Sequence, residues 1–256
     1  MRLKTLQWNI GGGRYRDANS DPLGDTYKNN KLNYFFDYIN LHNPDIVTLQ
    51  ESHSNDSYSI GEEITKNTEL KYFADYGIDQ SHIDPTMRLT VSIISKYPIS
   101  VLEQSKFVNP NLKIIWENQE FPLQDKGVLK ASVSLPNNSV DVESTHLFPL
   151  RKCNAELMDE SLNYLRKDIE NKLISEQSKK LLIQGDFNIN SQILAEYFAI
   201  LISGDTQEVP IKEPTSPRGR NYDHIIYKGL KLVDFTIDSK VLTDHYSLIS
   251  NFELST

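Results

Sequence analysis

Apolar residues recur along this chain with two different periods, and the shorter period predicts a series of β-strands. The first strand ends at Gly11-Gly12-Gly13, a strong stop signal, and Pro136-Asn137-Asn138 separates two later runs as a hairpin turn would. The predicted strands cover residues 3–10, 45–50, 89–95, 127–135, 139–145, 180–184, 222–227 and 246–254.

The longer period, with apolar residues three or four positions apart, predicts amphipathic helices between the strands. Stripes of this kind predict helices over residues 28–41, 154–176 and 192–202. Helices mixed with strands and hairpins favour an α/β (α+β) fold with a mixed sheet or two packed sheets over a purely parallel barrel. Because no stretch has the composition of a linker, we expect one domain over residues 1–256.

The composition excludes several classes of protein. The chain has 256 residues, 38% of them hydrophobic and 10% aromatic, with a formal net charge of −8. It is too apolar for a disordered chain, and no apolar run approaches the roughly 20 residues that cross a bilayer. The single cysteine excludes an internal disulfide and favours a reducing compartment. We expect a cytoplasmic monomer without stable membrane insertion, and the negative charge disfavours a protein that coats duplex DNA.

Carboxylate, amide and imidazole side chains stand at the ends of these apolar strands. One polar residue at a strand end carries little information. Polar residues at the ends of strands from the whole chain, however, predict that these ends converge on one site. The residues concerned are Asn9, Glu51, His146, Asp186, Asn188, Asp223, Asp244 and His245.

Side chains of these types are suited to the hydrolysis of a phosphate ester. Glu51 and Asn9 offer the hard oxygen ligands that Mg²⁺ or Mn²⁺ prefers. A cationic imidazole can neutralise a phosphate or protonate a leaving oxygen, and a neighbouring carboxylate stabilises that cationic form. Asp186 could orient and deprotonate a water molecule, while Asn188 donates to the same phosphate.

The same segments, in the same order, resemble the motifs of the endonuclease/exonuclease/phosphatase superfamily, the magnesium-dependent phosphoesterases similar to DNase I. The resemblance spans nearly the whole chain and depends on order and spacing, because each short motif alone is weak. The matching segments are Trp8-Asn9-Ile10, Leu49-Gln50-Glu51, residues 92–99, Ser144-Thr145-His146-Leu147, Gly185-Asp186-Phe187-Asn188, residues 222–226, and Thr243-Asp244-His245, where Thr replaces the usual Ser.

This resemblance implies a four-layer sandwich of two packed mixed β-sheets with helices on the outer faces and the active site at one rim. It implies Mg²⁺ (or Mn²⁺) as the cofactor, with Asn9, Glu51 and Asp244 in the metal site. It assigns catalytic roles to the other motif residues, which are His146, Asp186, Asn188, Asp223 and His245.

Cationic residues are placed less directly by the resemblance. Arg218 and Arg220 lie in a loop that often reaches the substrate in relatives, so with Asn9 they are the expected substrate-binding residues. Lys126 and Lys130 both lie near a position that often carries a cation in the site, and the alignment does not decide between them.

The remaining histidines are expected to be structural or exposed. Alternation along a strand turns His224 to the face opposite Asp223, which indicates a structural role. His42, His53 and His82 have no matching partners and are expected at the surface, although His53 follows Glu51 closely enough to line the rim.

The substrate is less well determined than the chemistry. The segment at His146 resembles the tyrosyl-DNA phosphodiesterase, sphingomyelinase and phosphatase branches more than the apurinic endonucleases. The leading hypothesis is a metal-dependent phosphodiesterase that acts on nucleic acid, as a nuclease or in DNA-end processing. The alternatives are an enzyme for a small phosphorylated metabolite, inositol phosphate or lipid headgroup, and an inactive family member that serves as a binding module.

Overall fold

The strands form two large sheets in the computed structural model, which describes residues 1–24, 26–116, 119–174 and 178–254. Elements are numbered in chain order. The first sheet contains β1 (Arg2–Asn9), β2 (Ile46–Asn55), β3 (Tyr58–Ser59), β4 (Tyr72–Gln80), β5 (Arg88–Ser95), β14 (Leu230–Asp238) and β15 (Ser247–Leu254). The second contains β6 (Ile99–Lys106), β9 (Gly127–Leu135), β10 (Asn138–His146), β11 (Leu181–Asp186), β12 (Thr206–Glu208) and β13 (Asp223–Lys228).

Shorter elements connect and cover the sheets. Strands β7 (Lys113–Trp116) and β8 (Gln119–Pro122) form a separate hairpin. The α-helices are α1 (Asn33–His42), α2 (Ile60–Asn67) and α3 (Asn163–Leu173), and 3-10 turns occur at Gly11–Gly13, Leu150–Cys153, Glu160–Leu162 and Leu194–Glu196. None of the helices in the described ranges combines the length and apolarity that a membrane span requires.

Both sheets are mixed, as the resemblance implies. The strand order is β14-β15-β1-β2-β5-β4 in the first sheet, with β3 added to β2, and β12-β13-β11-β10-β9-β6 in the second. Strands β1 and β2 run parallel, and so do β10 and β11, whereas the other described pairs are antiparallel.

Alternation along the inner strands sorts their side chains into layers. In β1, Leu3 joins the apolar cluster between the two sheets, whereas Leu6 and Trp8 face outward and pack with residues of α1 such as Phe35. On the far side, Leu165 of α3 packs with outward residues of the second sheet. The helix–sheet–sheet–helix order confirms the predicted four-layer sandwich.

The layer between the sheets changes from apolar to polar along its length. At one end it contains Leu3, Ile46, Val142, Leu182 and Ile225. Next come the fully buried residues Thr5, Thr48 and Gln184, then Gln7, Gln50 and Ser144, and finally Asn9, His146, Asp186 and Asp223. The period of two therefore carries each inner strand from the core into one polar rim.

The predicted helix over residues 192–202 is wrong. Leu194, Phe198 and Leu201 are buried as a helical stripe would be, but the segment forms only one 3-10 turn. Glu170 of α3 explains the difference, because its Oε1 accepts from the backbone N of Ile200 and of Leu201 over 2.7 Å and 3.0 Å. A tertiary carboxylate thus replaces the partners that a helix would supply.

The other two predicted helices are real but shorter. The first begins at Asn33 instead of residue 28, and the second covers Asn163–Leu173 of the predicted 154–176. The final predicted residues, 175–176, lie outside the described residues.

Candidate active site

Glu51 reaches the rim because β2 is irregular at this residue. The pairing of β2 with β5 changes register between Leu49 and Ser52, and Glu51 adopts a left-handed φ of 49°. A bulge re-aims a side chain, and strain of this kind in a non-glycine residue is typical of functional sites. The carboxylate faces the second sheet, with Oε1 3.8 Å from Nε2 of His146.

Asp186 lies at the centre of the rim and is 1% exposed. It ends β11 directly opposite His146 at the end of β10. Its Oδ2 accepts from Asn9 Nδ2 over 2.9 Å, and its Oδ1 accepts from the backbone N of Asn188 over 2.8 Å. Burial raises the pKa of Asp186 to about 7, against the opposing effect of His245. A carboxylate with this pKa can exchange a proton near neutral pH.

The close approach of β10 and β11 depends on a glycine. A Cβ on Gly185 would lie 2.1 Å from the carbonyl oxygen of Thr145. Only glycine therefore allows the two strand ends, with His146 and Asp186, to lie side by side.

His245 and Asp223 form a hydrogen-bonded pair beside Asp186. His245 Nδ1 lies 2.8 Å from Asp223 Oδ2, and His245 Nε2 lies 3.7 Å from Asp186 Oδ2. Burial favours the neutral ring, but the two carboxylates outweigh it and raise the pKa of His245 well above its ordinary value. The imidazole is therefore cationic at neutral pH and can bind a phosphate oxygen.

Lys126 is the cation that the structure brings to the site, and the sequence did not distinguish it from Lys130. Lys126 is 3% exposed, with Nζ 3.3 Å from Nδ1 and 3.4 Å from Nε2 of His146. Lys130 instead lies between Glu103 and Glu143, at 3.6 Å and 3.4 Å. The two lysines thus have different roles.

His146 and Glu51, which face Lys126, differ in charge state, and burial lowers the pKa of Lys126 itself. Burial, together with Lys126, lowers the pKa of His146 well below its ordinary value, so this ring is neutral. Burial opposes the ionisation of Glu51, but the positive charge around it, Lys126 included, outweighs burial and lowers the pKa of Glu51 to about 2. Glu51 is therefore available as an ionised oxygen ligand.

Three oxygen-bearing side chains fit a hard cation. Asn9 Oδ1 accepts from the backbone N of Gly11 over 3.1 Å, and a Cβ on Gly11 would lie 3.3 Å from Asp244 Oδ1. The turn at Gly11 therefore brings Asn9 and exposed Asp244 together, and Asn9 pairs with Gln50, the residue before Glu51 at the bulge in β2. Carboxylate and amide oxygens are the donors that Mg²⁺ takes.

A second group could also hold a metal ion. One ligand atom from each of Asp186, Asp223 and His245 lies within 4.8 Å of the others. The proton that the raised pKa places on His245 removes the lone pair that a metal needs. The oxygen set of Asn9, Glu51 and Asp244 is therefore the better fit.

The loop that carries Arg218 and Arg220 is attached beside His245. The backbone N of Tyr246 donates to the Thr215 carbonyl over 2.7 Å, and the Thr215 N donates to the Arg220 carbonyl over 2.8 Å. Arg218 is exposed and Arg220 half-buried, on a loop whose backbone is bonded next to His245.

The histidines outside the motifs differ in their surroundings. His224 is buried on the opposite face from Asp223, as expected, with Nε2 3.1 Å from the Asn221 carbonyl oxygen, and burial lowers its pKa to about 4. The expectation that His53 lies at the surface is wrong, because His53 is 5% exposed and its Nε2 lies 2.7 Å from Ser81 Oγ. The packing of the ring against the Gly12 turn explains this burial.

Comparison with protein-family models gives a match over residues 6–245 to the Endonuclease/Exonuclease/phosphatase family. The chain belongs to the endonuclease/exonuclease/phosphatase family. Members of this family hydrolyse phosphate esters. No curated protein sequence matches the chain significantly.

Solved structures share the family fold at low sequence identity. An endonuclease/exonuclease/phosphatase from Beutenbergia cavernae DSM 12333 has a TM-score of 0.70 at 16% identity, over 99% of this chain and 72% of that one. D. rerio TDP2 with a single-strand DNA product has 0.63 at 14%, over 98% and 99%. A mannosyl-6-phosphatase from Bacteroides thetaiotaomicron VPI-5482 has 0.61 at 11%, over 98% and 100%. At these identities the likeness establishes the fold.

The sequence patterns did not single out Gln7, which the structure places directly behind Asp223. Gln7 donates to Asp223 Oδ1 over 3.0 Å and to Gln50 Oε1 over 2.6 Å. Alternation could have found Gln7, because it lies two residues before Asn9 on the same face of the strand.

Proposed function

We propose that this chain is a single-domain, monomeric phosphoesterase that depends on Mg²⁺ (or Mn²⁺) and hydrolyses a phosphodiester of nucleic acid with an activated water. The observation that carries the proposal is the surroundings of Asp186. This carboxylate, with a pKa of about 7, lies between a cationic imidazole at 3.7 Å and a neutral one at 3.4 Å. Both a proton acceptor and a positive charge for phosphate are therefore in place.

Asn9, Glu51 and Asp244 would hold the divalent ion. When bound, the ion would supply Lewis-acid polarisation of a phosphate oxygen. Glu51 provides a charged oxygen ligand, because its pKa of about 2 keeps it ionised at neutral pH. The three residues keep their places through the bulge in β2 and the turn at Gly11.

Each of the other side chains has a role that follows from its protonation state. Asp186 orients the attacking water and accepts its proton. Cationic His245, oriented by Asp223, binds a phosphate oxygen and offsets the charge that develops there. Asn188 uses one amide hydrogen on the Leu147 carbonyl at 3.0 Å, which leaves the other for the phosphate. Neutral His146, with Lys126 beside it, contacts the leaving oxygen.

Nucleic acid is the preferred substrate because the loop that carries Arg218 and Arg220 is attached next to His245. Arg218 and Arg220 can each bind a phosphate next to the scissile one, and guanidinium groups suit that contact. The solved structure of D. rerio TDP2 with a DNA product shows that this fold can hold a nucleic acid strand in that protein.

A small phosphorylated metabolite, inositol phosphate or lipid headgroup is the second candidate. The net charge of −8 favours it, since a long nucleic acid contact needs many cations. One structural neighbour is named as a mannosyl-6-phosphatase, so the fold also accommodates small substrates. An inactive binding module is the third, and the complete set of acidic and imidazole positions argues against it.

The test is a substrate panel with Mg²⁺, Mn²⁺ or EDTA. It contains single- and double-stranded DNA, RNA, 5′-tyrosyl DNA, inositol phosphates and sphingomyelin. We expect metal-dependent cleavage of a nucleic acid and a higher metal requirement in Glu51→Gln. Turnover of inositol phosphates or sphingomyelin alone would favour a small phosphorylated substrate over nucleic acid. If no substrate in the panel is hydrolysed, the proposed activity is contradicted.

A further inference from the structure

A buried glutamine holds the carboxylate that orients His245. Gln7 lies in β1 and is 0% exposed, between the two sheets. Its Nε2 donates to Asp223 Oδ1 over 3.0 Å, whereas Oδ2 of the same carboxylate lies 2.8 Å from His245 Nδ1. Asp223 is therefore held at both of its oxygens, by Gln7 on one and by His245 on the other.

A chain of hydrogen bonds that ends on the backbone sets the direction of the Gln7 amide. Ser144 Oγ donates to the Leu49 carbonyl over 3.1 Å, so it accepts from Gln50 Nε2, which is 3.1 Å away. The Oε1 of Gln50 then faces Gln7, whose Nε2 donates to it over 2.6 Å. Both N–H bonds of Gln7 are used, one on Gln50 and one on Asp223.

The other end of the amide shows a cost of this arrangement. Gln7 Oε1 is buried and has no hydrogen-bond partner among the described residues. A buried polar atom without a partner destabilises a fold. Rotation of the amide would not help, because it would set Oε1 against the oxygens of Asp223 and Gln50. The orientation that keeps both donors on these acceptors is therefore retained at the expense of Oε1.

We propose that Gln7 is a positioning residue of the reaction, which keeps Asp223 in the rotamer that directs His245 at the phosphate. The inference rests on the proposed function, in which His245 contacts the substrate. An apolar side chain of the same length would fill the space between the sheets, but it would leave Asp223 Oδ1 without its donor and free the carboxylate to turn away from His245. Residues that support a reacting group in this way often change turnover 10- to 100-fold when replaced.

The experiment compares two buried glutamines of the same inter-sheet layer. Gln7→Met removes the donor to Asp223. Gln184→Met is the matched control, because Gln184 is also 0% exposed but bonds to Thr5 and Thr48, at 3.1 Å and 3.2 Å. Turnover of bis(p-nitrophenyl) phosphate is measured with Mg²⁺ and Mn²⁺ in both variants, each also combined with Asp223→Ala. The ring nitrogens of His245 are followed by NMR with labelled histidine.

We expect Gln7→Met to lower kcat about 10- to 100-fold with KM changed less than about 3-fold, and Gln184→Met to change kcat less than about 2-fold. In the Asp223→Ala background, Gln7→Met should lower kcat by less than a further factor of about 2, because the carboxylate that Gln7 holds is absent. The His245 resonances should shift in Gln7→Met and not in Gln184→Met. If Gln7→Met does not fold, Gln7→Asn replaces it, since the shorter amide cannot reach both acceptors.

Any of three results would overturn the proposal. The two glutamine variants could lose equal kcat, Gln7→Met could lower kcat as much in the Asp223→Ala background as in the wild type, or the His245 resonances could stay unshifted in Gln7→Met. Failure of the proposed function gives a different result, in which the wild-type protein hydrolyses no phosphoester at all. In that case the NMR comparison alone decides whether Gln7 positions His245.

Discussion

Replacement of Asp186 by asparagine should separate catalysis from stability, because the two effects have opposite signs. The side chain keeps its shape in Asp186→Asn but loses its charge. In the wild type, Oδ1 and Oδ2 accept from the N–H groups of Asn188 and Asn9. Either orientation of the new amide turns an NH₂ group toward one of these donors, so one hydrogen bond to a charged acceptor is lost. That loss destabilises the fold by about 2 kcal/mol.

The pKa of Asp186 predicts a larger effect in the other direction. Its value is about 7 in the fold against 3.8 in a free chain, so the folded state disfavours the ionised form. The folded protein binds more protons than the unfolded chain between these values, and stability falls as the pH rises through them. At pH 7 the difference amounts to up to about 4 kcal/mol. Asparagine removes it, so the metal-free variant should gain about 1–2 kcal/mol over the wild type at pH 7.

Turnover should fall at the same time by about 10²- to 10⁴-fold, because the acceptor for the proton of the attacking water is gone. Urea unfolding in EDTA at pH 7 and pH 5 measures stability, and steady-state kinetics with Mg²⁺ measures kcat. Asp75→Asn is the matched control, since burial also raises the pKa of Asp75, which lies in β4 beside Ser59, outside the rim. Near wild-type turnover would refute the role of Asp186 as base, and a clear loss of stability at pH 7 would refute the electrostatic reasoning.

Three further predictions test individual contacts. Lys126→Met should lower kcat with bis(p-nitrophenyl) phosphate on the order of 100-fold, because the site loses a buried cation. An unchanged kcat would contradict a role of Lys126 in the reaction. His224→Phe should reduce the loss of stability between pH 7 and 4.5. Burial lowers the pKa of His224 from 6.5 to about 4, so the unfolded chain takes up a proton in this range while the folded protein keeps the ring neutral. The wild type therefore loses up to about 3 kcal/mol of unfolding free energy as the pH falls. Urea midpoints with equal pH dependence in both proteins would be the opposing result. Gly185→Ala should cost about 1–3 kcal/mol and also lower kcat, because its Cβ would lie 2.1 Å from the Thr145 carbonyl oxygen. Gly204→Ala, with open space around Cβ, should leave kcat unchanged.

Local patterns predicted the inner strands well because each of them buries side chains on both faces. Strand β9 covers the predicted residues, Gly127–Leu135, and the hairpin turn to β10 lies where Pro136 and Asn137 stand. The edge strands β4, β6 and β14 were not predicted. Strand β6 exposes most of its side chains, so it lacks the alternation that marks a half-buried strand.

By itself, the sequence determined which polar residues are candidates for the site and in what order they occur, because motif spacing and alternation are properties of one segment at a time. It therefore predicted Glu51, Asp186 and His245 as site residues without any knowledge of their neighbours. Alternation also predicted correctly that His224 lies on the strand face opposite Asp223, where it is buried.

Only the tertiary structure decided which side chains work together. Lys126 and Lys130 lie four residues apart and are equivalent as a pattern, yet one contacts His146 and the other lies between Glu103 and Glu143. The reason is that the energy of a buried charge or amide depends on what the opposite strand presents, and no segment contains that information about itself. The same holds for Gln7, whose partner Asp223 is 216 residues away in the chain and 3.0 Å away in the fold.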